Sequence, residues 1–345
     1  MAGFSNLTAR SEQIVLEANT DYWDRDRLPR LKRIVFDNTI GQQDAIELVK
    51  TTEGRVDVVN GLRPLETLQV AQSPFAKVVK KRRALVTVFG QFNMRKANSP
   101  WNDVRLRQAA NLAIHRENFI RYATKGNGVI IPALIPEAAF GYDPDLTPYP
   151  FDPERARQLL REAGYPNGLA LSLIAPTDLE VQATVVSKML EHAGFTVELQ
   201  MLDAATFHRK TDLSTLDQPP AQQPWDMALW SFLDFLNFPA FLLYHYFILD
   251  GPSDWTMEQP ELRQLWEQVL NTVTDRTHQE ALIRQMERHT YDQAYLLFLY
   301  SPIQLYAVNQ AVEFVPHVNT LFMLDKTSVT DQHWSVRKQK AAMPE

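Results

Sequence analysis

The sequence predicts an α/β fold, because segments typical of strands alternate along the chain with segments typical of helices. Residues 169–202 read as a strand, a helix and a second strand within about 35 residues, which is the pattern of a βαβ unit. Such a unit implies parallel strands joined by a right-handed crossover. Residues 152–168, directly before it, read as a single helix with a marked beginning and end.

The helix predicted from residue 153 onward has signals at both ends. Asp152 can accept hydrogen bonds from the free amides of the first turn, and Pro153 suits the first helical position. Gly164 supplies a left-handed stop, and Pro166 prevents continuation. An apolar stripe at helical spacing runs along this helix, formed by Ala156, Leu159, Leu160 and Ala163.

The other elements follow from the same patterns, taken in chain order. Apolar and β-branched runs predict strands at 13–18, 31–36 and 56–59, within 77–93, and at 226–232, 296–300 and 305–308. Amphipathic patterns predict helices at 44–51, 65–72, 104–122, 259–273 and 276–292. The prolines within 129–151 predict an extended loop. The apolar tract 232–249 is interpreted as a buried strand, turn and helix, with an interfacial membrane segment as the alternative.

Composition narrows the classes of function. The chain has 345 residues, 45% hydrophobic and 22% charged, and is long enough for two lobes with a sizeable core. A net charge of −6 argues against nucleic-acid binding. The absence of cysteine excludes disulfides, thiolate metal sites and cysteine catalysis. Because the histidines lack metal-ligand spacing and no hydrolase or nucleotide-binding motif is present, we predict no metal, no cofactor and no catalytic residues.

Several runs of the sequence resemble one bacterial family. Residues 152–168, DPERARQLLREAGYPNG, resemble the signature D-P-E-K-A-K-x-L-L-x-E-A-G-Y-P. Residues 16–23, LEANTDYW, resemble L-x-x-N-x-x-Y-W, and residues 102–117 resemble x-D-V-R-V-R-Q-A-L-x-x-A-I-D-R-E, with His115 in place of aspartate. In this order and spacing, the chain resembles the C-terminal portion of a family 5 extracellular solute-binding protein, the receptors of dipeptide, oligopeptide and nickel ABC importers.

The resemblance implies a two-lobed, periplasmic-binding-protein-like clamp of class II whose first lobe is incomplete. Residues 1–95 would form a partial first lobe, 96–300 a complete second lobe, and 301–345 a return to the first. The first lobe would lack its opening because L-x-x-N-x-x-Y-W begins at residue 16, well before which family members start. An unpaired sheet edge would then invite a homodimer or a second chain.

The family resemblance also implies a function and a location. We expect a small peptide-like or amine-bearing solute between the lobes, and an ABC permease as a possible partner. The family location is periplasmic or extracellular. Residues 1–10 show no apolar signal segment, so a cytoplasmic location stays open.

The candidate ligand-binding residues lie in the tract WSFLDFLNFP, residues 230–239. In peptide-binding members, the aspartate of A-D-Y-x-x-P pairs with the ligand's ammonium group. The resemblance places Asp234 at that position, although the tract is one residue longer before its proline. Alternatively, Asp234 caps the helix that begins near Pro239, or pairs internally. The other candidates could line a pocket or be plain core residues: Trp230, Phe232, Phe235 and His245.

Two other functions stay open at this point. The chain could be an amide or ester hydrolase that reuses the cleft, with Asp234 and either His245 or His208 as its first candidates. It could also be an assembly subunit that pairs through the open sheet edge. The sequence does not identify the ligand.

Overall fold

Strands and helices alternate along the chain, as the hydrophobic patterns require. The computed structural model describes residues 4–9, 13–52, 54–248, 251–257, 259–272 and 274–341. The strands are β1 (Phe4–Ala9), β2 (Gln13–Ala18), β3 (Arg33–Asp37), β4 (Val58–Val59), β5 (Ala76–Lys81), β6 (Val86–Phe92), β7 (Gly128–Ile130), β8 (Leu169–Pro176), β9 (Phe195–Leu202), β10 (Met227–Leu233), β11 (Leu296–Pro302), β12 (Gln304–Asn309), β13 (Val312–Glu313) and β14 (Ser328–Val329).

The helices fill most of the intervals between these strands. They are α1 (Gln42–Val49), α2 (Glu66–Ala71), α3 (Val104–Leu112), α4 (Arg116–Ala123), α5 (Pro153–Glu162), α6 (Glu180–His192), α7 (Ala204–Thr211), α8 (Pro239–Phe247), α9 (Pro260–Asn271), α10 (Arg276–Asp292) and α11 (Trp334–Ala341). The predicted strand, turn and helix of the apolar tract correspond to β10, a turn and α8. Two predicted elements end at positions 249 and 273, which lie outside the described residues. The predicted first lobe also includes residues outside them, namely 1–3, 10–12, 53 and 342–345.

The chain divides into two compact units, one formed by Met1–Arg82 with Ile303–Glu345 and the other by Arg83–Pro302. The second unit contains a six-stranded sheet in the order β7-β11-β6-β10-β8-β9. Strand β6 lies inside this sheet because it pairs antiparallel with both β10 and β11. It therefore belongs to the second unit, although the predicted first lobe runs to residue 95. The lobe boundaries themselves stay a prediction.

The predicted βαβ unit is β8, α6 and β9. Strands β8 and β9 are parallel, in register from Leu169 opposite Phe195 to Pro176 opposite Leu202. Glycine is required where the strands begin: Gly168 has a φ of +93°, and a Cβ added there would lie 2.2 Å from the carbonyl oxygen of Gly194. This close approach of two backbones fixes the register, since no side chain fits between them.

Helix α5 has the capping that the sequence predicts. The Asp152 carboxylate accepts a hydrogen bond from the Arg155 amide at 2.9 Å, and Gly164 follows the helix with a φ of +94°. The buried face of the helix consists of Ala156, Leu159 and Leu160. These residues pack the helix against α3. The amphipathic pattern therefore identified the buried face correctly.

The single helix predicted over 104–122 is wrong, because the structure contains two helices there, α3 and α4. His115 separates them and accepts the Asn118 amide at its Nδ1 atom, 3.4 Å away. Arg116 then turns its guanidinium into the interior, where it donates to the carbonyl oxygens of Asn111 and Phe298. Burial lowers the pKa of Arg116 to about 10, although the group stays cationic at neutral pH.

The first unit contains two three-stranded sheets, ordered β1-β2-β3 and β4-β12-β5. Leu16 and Ile34 pack with Leu324 in one apolar cluster, and Tyr306 belongs to a second. Strand β5 stands at a sheet edge and carries three lysines. Charged lysines at an edge oppose pairing with a further strand, which disfavours assembly through β5.

Candidate functional site

Asp234 lies in the turn that connects β10 to α8. Its own amide donates to the carbonyl oxygen of Leu85 at 2.8 Å, which continues the pairing of β10 with the segment before β6. Its Oδ1 atom accepts the amide of Phe238 at 3.2 Å, directly before α8 begins. The carboxylate therefore holds the turn that leads into α8 through one of its two oxygens, and no helical amide of α8 among the described residues donates to it.

The second oxygen of Asp234 has no such role. The residue is only 5% exposed, and its Oδ2 atom is buried and accepts no hydrogen bond from any residue that the structure describes. Burial raises the pKa of Asp234, while the amides of Phe238, Leu236 and Asn237 oppose that rise. A cation or donor placed at Oδ2 would stabilise the ionised carboxylate. Because Oδ2 is shielded from solvent, such a group could reach it only after neighbouring side chains move.

Trp230 and Phe232 lie on one face of β10, under α8. The Trp230 ring packs against Phe207 at 4.9 Å and Tyr246 at 5.9 Å, and Trp230 is 7% exposed. Phe232 packs against Tyr246 at 5.6 Å and His245 at 5.7 Å. Trp230 is therefore part of the buried core of the second unit, whereas Phe232 is only partly buried, and the contact of either side chain with a ligand stays a prediction.

His245 lies in the last turn of α8, and Phe235 lies in the turn beside Asp234. Because α8 begins at Pro239, the rise of the helix separates its start from His245 by about 9 Å. Burial lowers the pKa of His245, and the charge of Asp212 partly offsets this effect. The Phe235 side chain is 52% exposed. The structure thus gathers Trp230, Phe232 and His245 around α8, and places Phe235 with Asp234 in the preceding turn.

Two features of the site escaped the sequence reasoning. Tyr246 is fully buried, and its ring contacts those of Phe89, Trp230, Phe232 and His245. Asn237 has a φ of +51°, in the left-handed region. The preference of asparagine for that region is a signal that could have marked the turn, whereas nothing in the sequence marks Tyr246 as the centre of the aromatic cluster.

The remaining polar candidates serve local structure. Asp203 caps α7 by accepting the amide of Thr206 at 2.9 Å. The Asp212 carboxylate accepts from Ser214 two residues later. Within the described ranges, no group of three or more histidine, cysteine or acidic side chains could hold a metal ion. No helix in the same part of the chain is long and apolar enough to span a membrane.

The family model described as "Bacterial extracellular solute-binding proteins, family 5 Middle" matches residues 6–253. This chain therefore belongs to the family 5 bacterial extracellular solute-binding proteins, as its motifs predicted.

Curated relatives of the chain are substantially longer proteins. Heme-binding protein A of Haemophilus influenzae is 29% identical over 200 residues, which cover 58% of this chain and 34% of the relative. The dipeptide-binding protein of Escherichia coli is 27% identical over 166 residues, which cover 48% and 30%. This chain thus spans about a third of the length of these relatives.

Solved structures confirm the fold. The periplasmic binding protein DppA from Helicobacter pylori, in complex with the peptide STSA, has a TM-score of 0.76 and 20% identity, covering 95% of this chain and 62% of its own. NikA from Staphylococcus aureus, in complex with Ni(L-His)2, has a TM-score of 0.71 and 16% identity, covering 95% and 68%. At these identities the comparison establishes the α/β binding-protein fold and shows that this sequence holds part of it.

Proposed function

We propose that this protein binds a small peptide-like or amine-bearing solute through Asp234 and acts as a receptor that delivers it to an ABC permease. The observation that carries the proposal is the Asp234 carboxylate, which has one oxygen committed to the α8 turn and the other without a partner among the described residues. The membership in a family defined by solute binding supplies the class of function.

The chemistry of Asp234 favours a cationic group on the ligand. A buried carboxylate is costly unless a donor or a cation compensates it, and no described residue forms an ion pair with Asp234. By contrast, the buried carboxylate of Asp254 has Arg95 at 3.2 Å. A ligand ammonium would give Asp234 the compensation that Arg95 gives Asp254. The relatives include a dipeptide-binding and a heme-binding protein, and the Asp234 carboxylate favours a peptide as the ligand of this chain.

Calorimetric titration with a panel of di- to pentapeptides tests the proposal. Asp234→Asn preserves the size of the side chain and its capping ability, but removes the charge. We expect it to weaken binding by about ten- to hundredfold, the usual contribution of a charge-assisted hydrogen bond.

Asp203→Asn is the matched control, because Asp203 caps α7 with the same kind of contact and asparagine caps equally well. We expect it to leave affinity unchanged. Equal affinity of wild type and Asp234→Asn for the best peptide, or no binding of any peptide by wild type, would overturn the proposal.

The location proposed with this function is periplasmic or extracellular, in keeping with the family description. We propose a binding role rather than a hydrolytic one, since Asp234 lies before α8 and His245 in its last turn. A homodimer or a second chain at a sheet edge stays a prediction, and the lysines of β5 disfavour it at that edge only.

A further inference from the structure

In the loop before α5, the four consecutive residues 140–143 each approach helix α10 closely. The Arg276 guanidinium lies over the Phe140 ring, 4.4 Å from its centroid. A Cβ on Gly141 would lie 2.6 Å from Ile283, which shows how closely the loop approaches the helix. The next two contacts are Arg284 Nε to the Tyr142 carbonyl oxygen at 3.1 Å, and Arg288 Nη2 to Asp143 Oδ1 at 2.9 Å.

This anchored loop reaches the turn that carries Asp234. The amide of Phe140 donates to the side-chain oxygen Oδ1 of Asn237 at 3.1 Å. Asn237 in turn donates its own amide to the carbonyl oxygen of Asp234 at 3.3 Å. The contacts of α10 with the loop, the loop backbone and the Phe140–Asn237 hydrogen bond therefore connect α10 to the Asp234 turn.

The side chains at the centre of the turn are largely exposed. Phe235 and Leu236, its central residues, are 52% and 56% exposed. Asn237 has a φ of +51°, a conformation that costs a non-glycine residue free energy. The Asn237 side chain and the backbone contacts of Asp234 and Phe238 therefore contribute directly to the geometry of the turn.

We propose that Asn237 is a positioning residue for the solute site, braced by the loop at Phe140. By fixing the turn, it keeps the Phe238 amide on Oδ1 of Asp234, so that Oδ2 is the oxygen left for the ligand's ammonium group. This inference rests on the function proposed above. It adds that recognition of the ligand's amine depends on the hydrogen bond between Phe140 and Asn237, which lies outside the contact between the ligand and Asp234.

The test compares three variants of the full chain. Asn237→Gly keeps the left-handed backbone accessible and removes only the acceptor for Phe140. Asn98→Gly is the matched control, because Asn98 is an exposed residue with a φ of 56° and no side-chain hydrogen bond to a described residue. Asn237→Asp retains an oxygen acceptor and the tolerance for positive φ.

The first readout is independent of any ligand. Hydrogen–deuterium exchange, followed by mass spectrometry of the segments 139–144 and 234–240, should be faster in Asn237→Gly than in wild type. We expect wild-type exchange in Asn98→Gly and restored protection of 139–144 in Asn237→Asp. Unchanged exchange in Asn237→Gly would overturn the brace.

The second readout is the ratio of affinities for the best-binding peptide and its des-amino analogue. We expect Asn237→Gly to reduce this ratio by about five- to tenfold, the effect of one lost hydrogen bond. General loosening of the protein would weaken both ligands equally and leave the ratio unchanged, which would overturn the positioning role. If wild type does not discriminate between the two ligands, the proposed function fails, and hydrogen exchange alone decides whether Asn237 braces the turn.

Discussion

Glu287 allows the sharpest test of the structure, through the pH dependence of stability. Its side chain is buried within the second unit, on α10, and its Oε1 atom accepts the amide of Ile135 at 2.6 Å. Its Oε2 atom has no hydrogen-bond partner among the described residues. Burial raises the pKa of Glu287 to about 8. The charge of Asp143 raises the pKa by a smaller amount, and the amides of Ile135 and Leu134 lower it.

The sign of the effect follows from the two protonation states. The unfolded chain releases the Glu287 proton near the ordinary pKa of 4.5, whereas the folded chain holds it up to about 8. Between these values the folded state binds more protons, so the free energy of unfolding falls as pH rises. The contribution is fully present below pH 4.5 and is lost as pH rises through the folded pKa. Each pH unit corresponds to about 1.4 kcal/mol, which gives about 3 kcal/mol between pH 5 and pH 7.

Glu287→Gln removes this titration and keeps the shape of the side chain. Urea unfolding at fixed ionic strength, measured from pH 5 to pH 8, gives the free energy of unfolding of each protein. We expect the wild-type value minus the variant value to fall by about 3 kcal/mol from pH 5 to pH 7. Glu280→Gln is the control, because Glu280 lies on the same helix with its side chain 34% exposed. If the difference for Glu287→Gln is flat across this range, or equals that of the control, the burial argument is refuted.

Two further predictions concern the βαβ unit and the solute site. Gly168→Ala should lower the free energy of unfolding by about 3 kcal/mol, since the methyl group meets both an unfavourable φ and the Gly194 carbonyl. Gly164 has nearly the same φ, but a Cβ there would meet open space, so Gly164→Ala should lower the free energy of unfolding by only about 1 kcal/mol in parallel urea titrations. Equal losses of stability in the two variants would contradict the close backbone approach at Gly168. Affinity for an amine-bearing peptide should rise with pH through the raised pKa of Asp234, because the ammonium group binds the ionised carboxylate. Titrations from pH 4 to pH 7 should show this rise in wild type and not in Asp234→Asn, and a pH-independent wild-type affinity would count against Asp234 as the contact.

Local sequence patterns were sufficient to predict an element's bounds wherever the residues that determine them are close together in the sequence. Asp152 and Gly164 bound α5 as predicted, because capping depends on backbone groups within a few residues. The break between α3 and α4 could not be predicted in the same way. One contact at this break, the hydrogen bond from Arg116 to the carbonyl oxygen of Phe298, spans 182 positions of the chain.

The candidate site shows the same division. The motif resemblance selected Asp234, and the proline after it correctly indicated a helix start. Only the folded chain shows that one oxygen of Asp234 holds the turn before that helix while the other is buried without a partner among the described residues. The contact between Phe140 and Asn237 joins segments 97 residues apart, and no sequence pattern reports it.

By itself, the sequence determined the family, the α/β class and the bounds of the strongest elements, because caps, breakers and periodic apolar residues act over a few positions. Tertiary structure decided which oxygen of Asp234 remains without a partner among the described residues, that Tyr246 lies at the centre of the aromatic cluster, and that Phe140, which contacts α10, donates a hydrogen bond to Asn237. These features depend on which distant groups exclude water from one another. Such contacts between distant groups are a property of the folded chain, and they cannot be predicted from local patterns in its sequence.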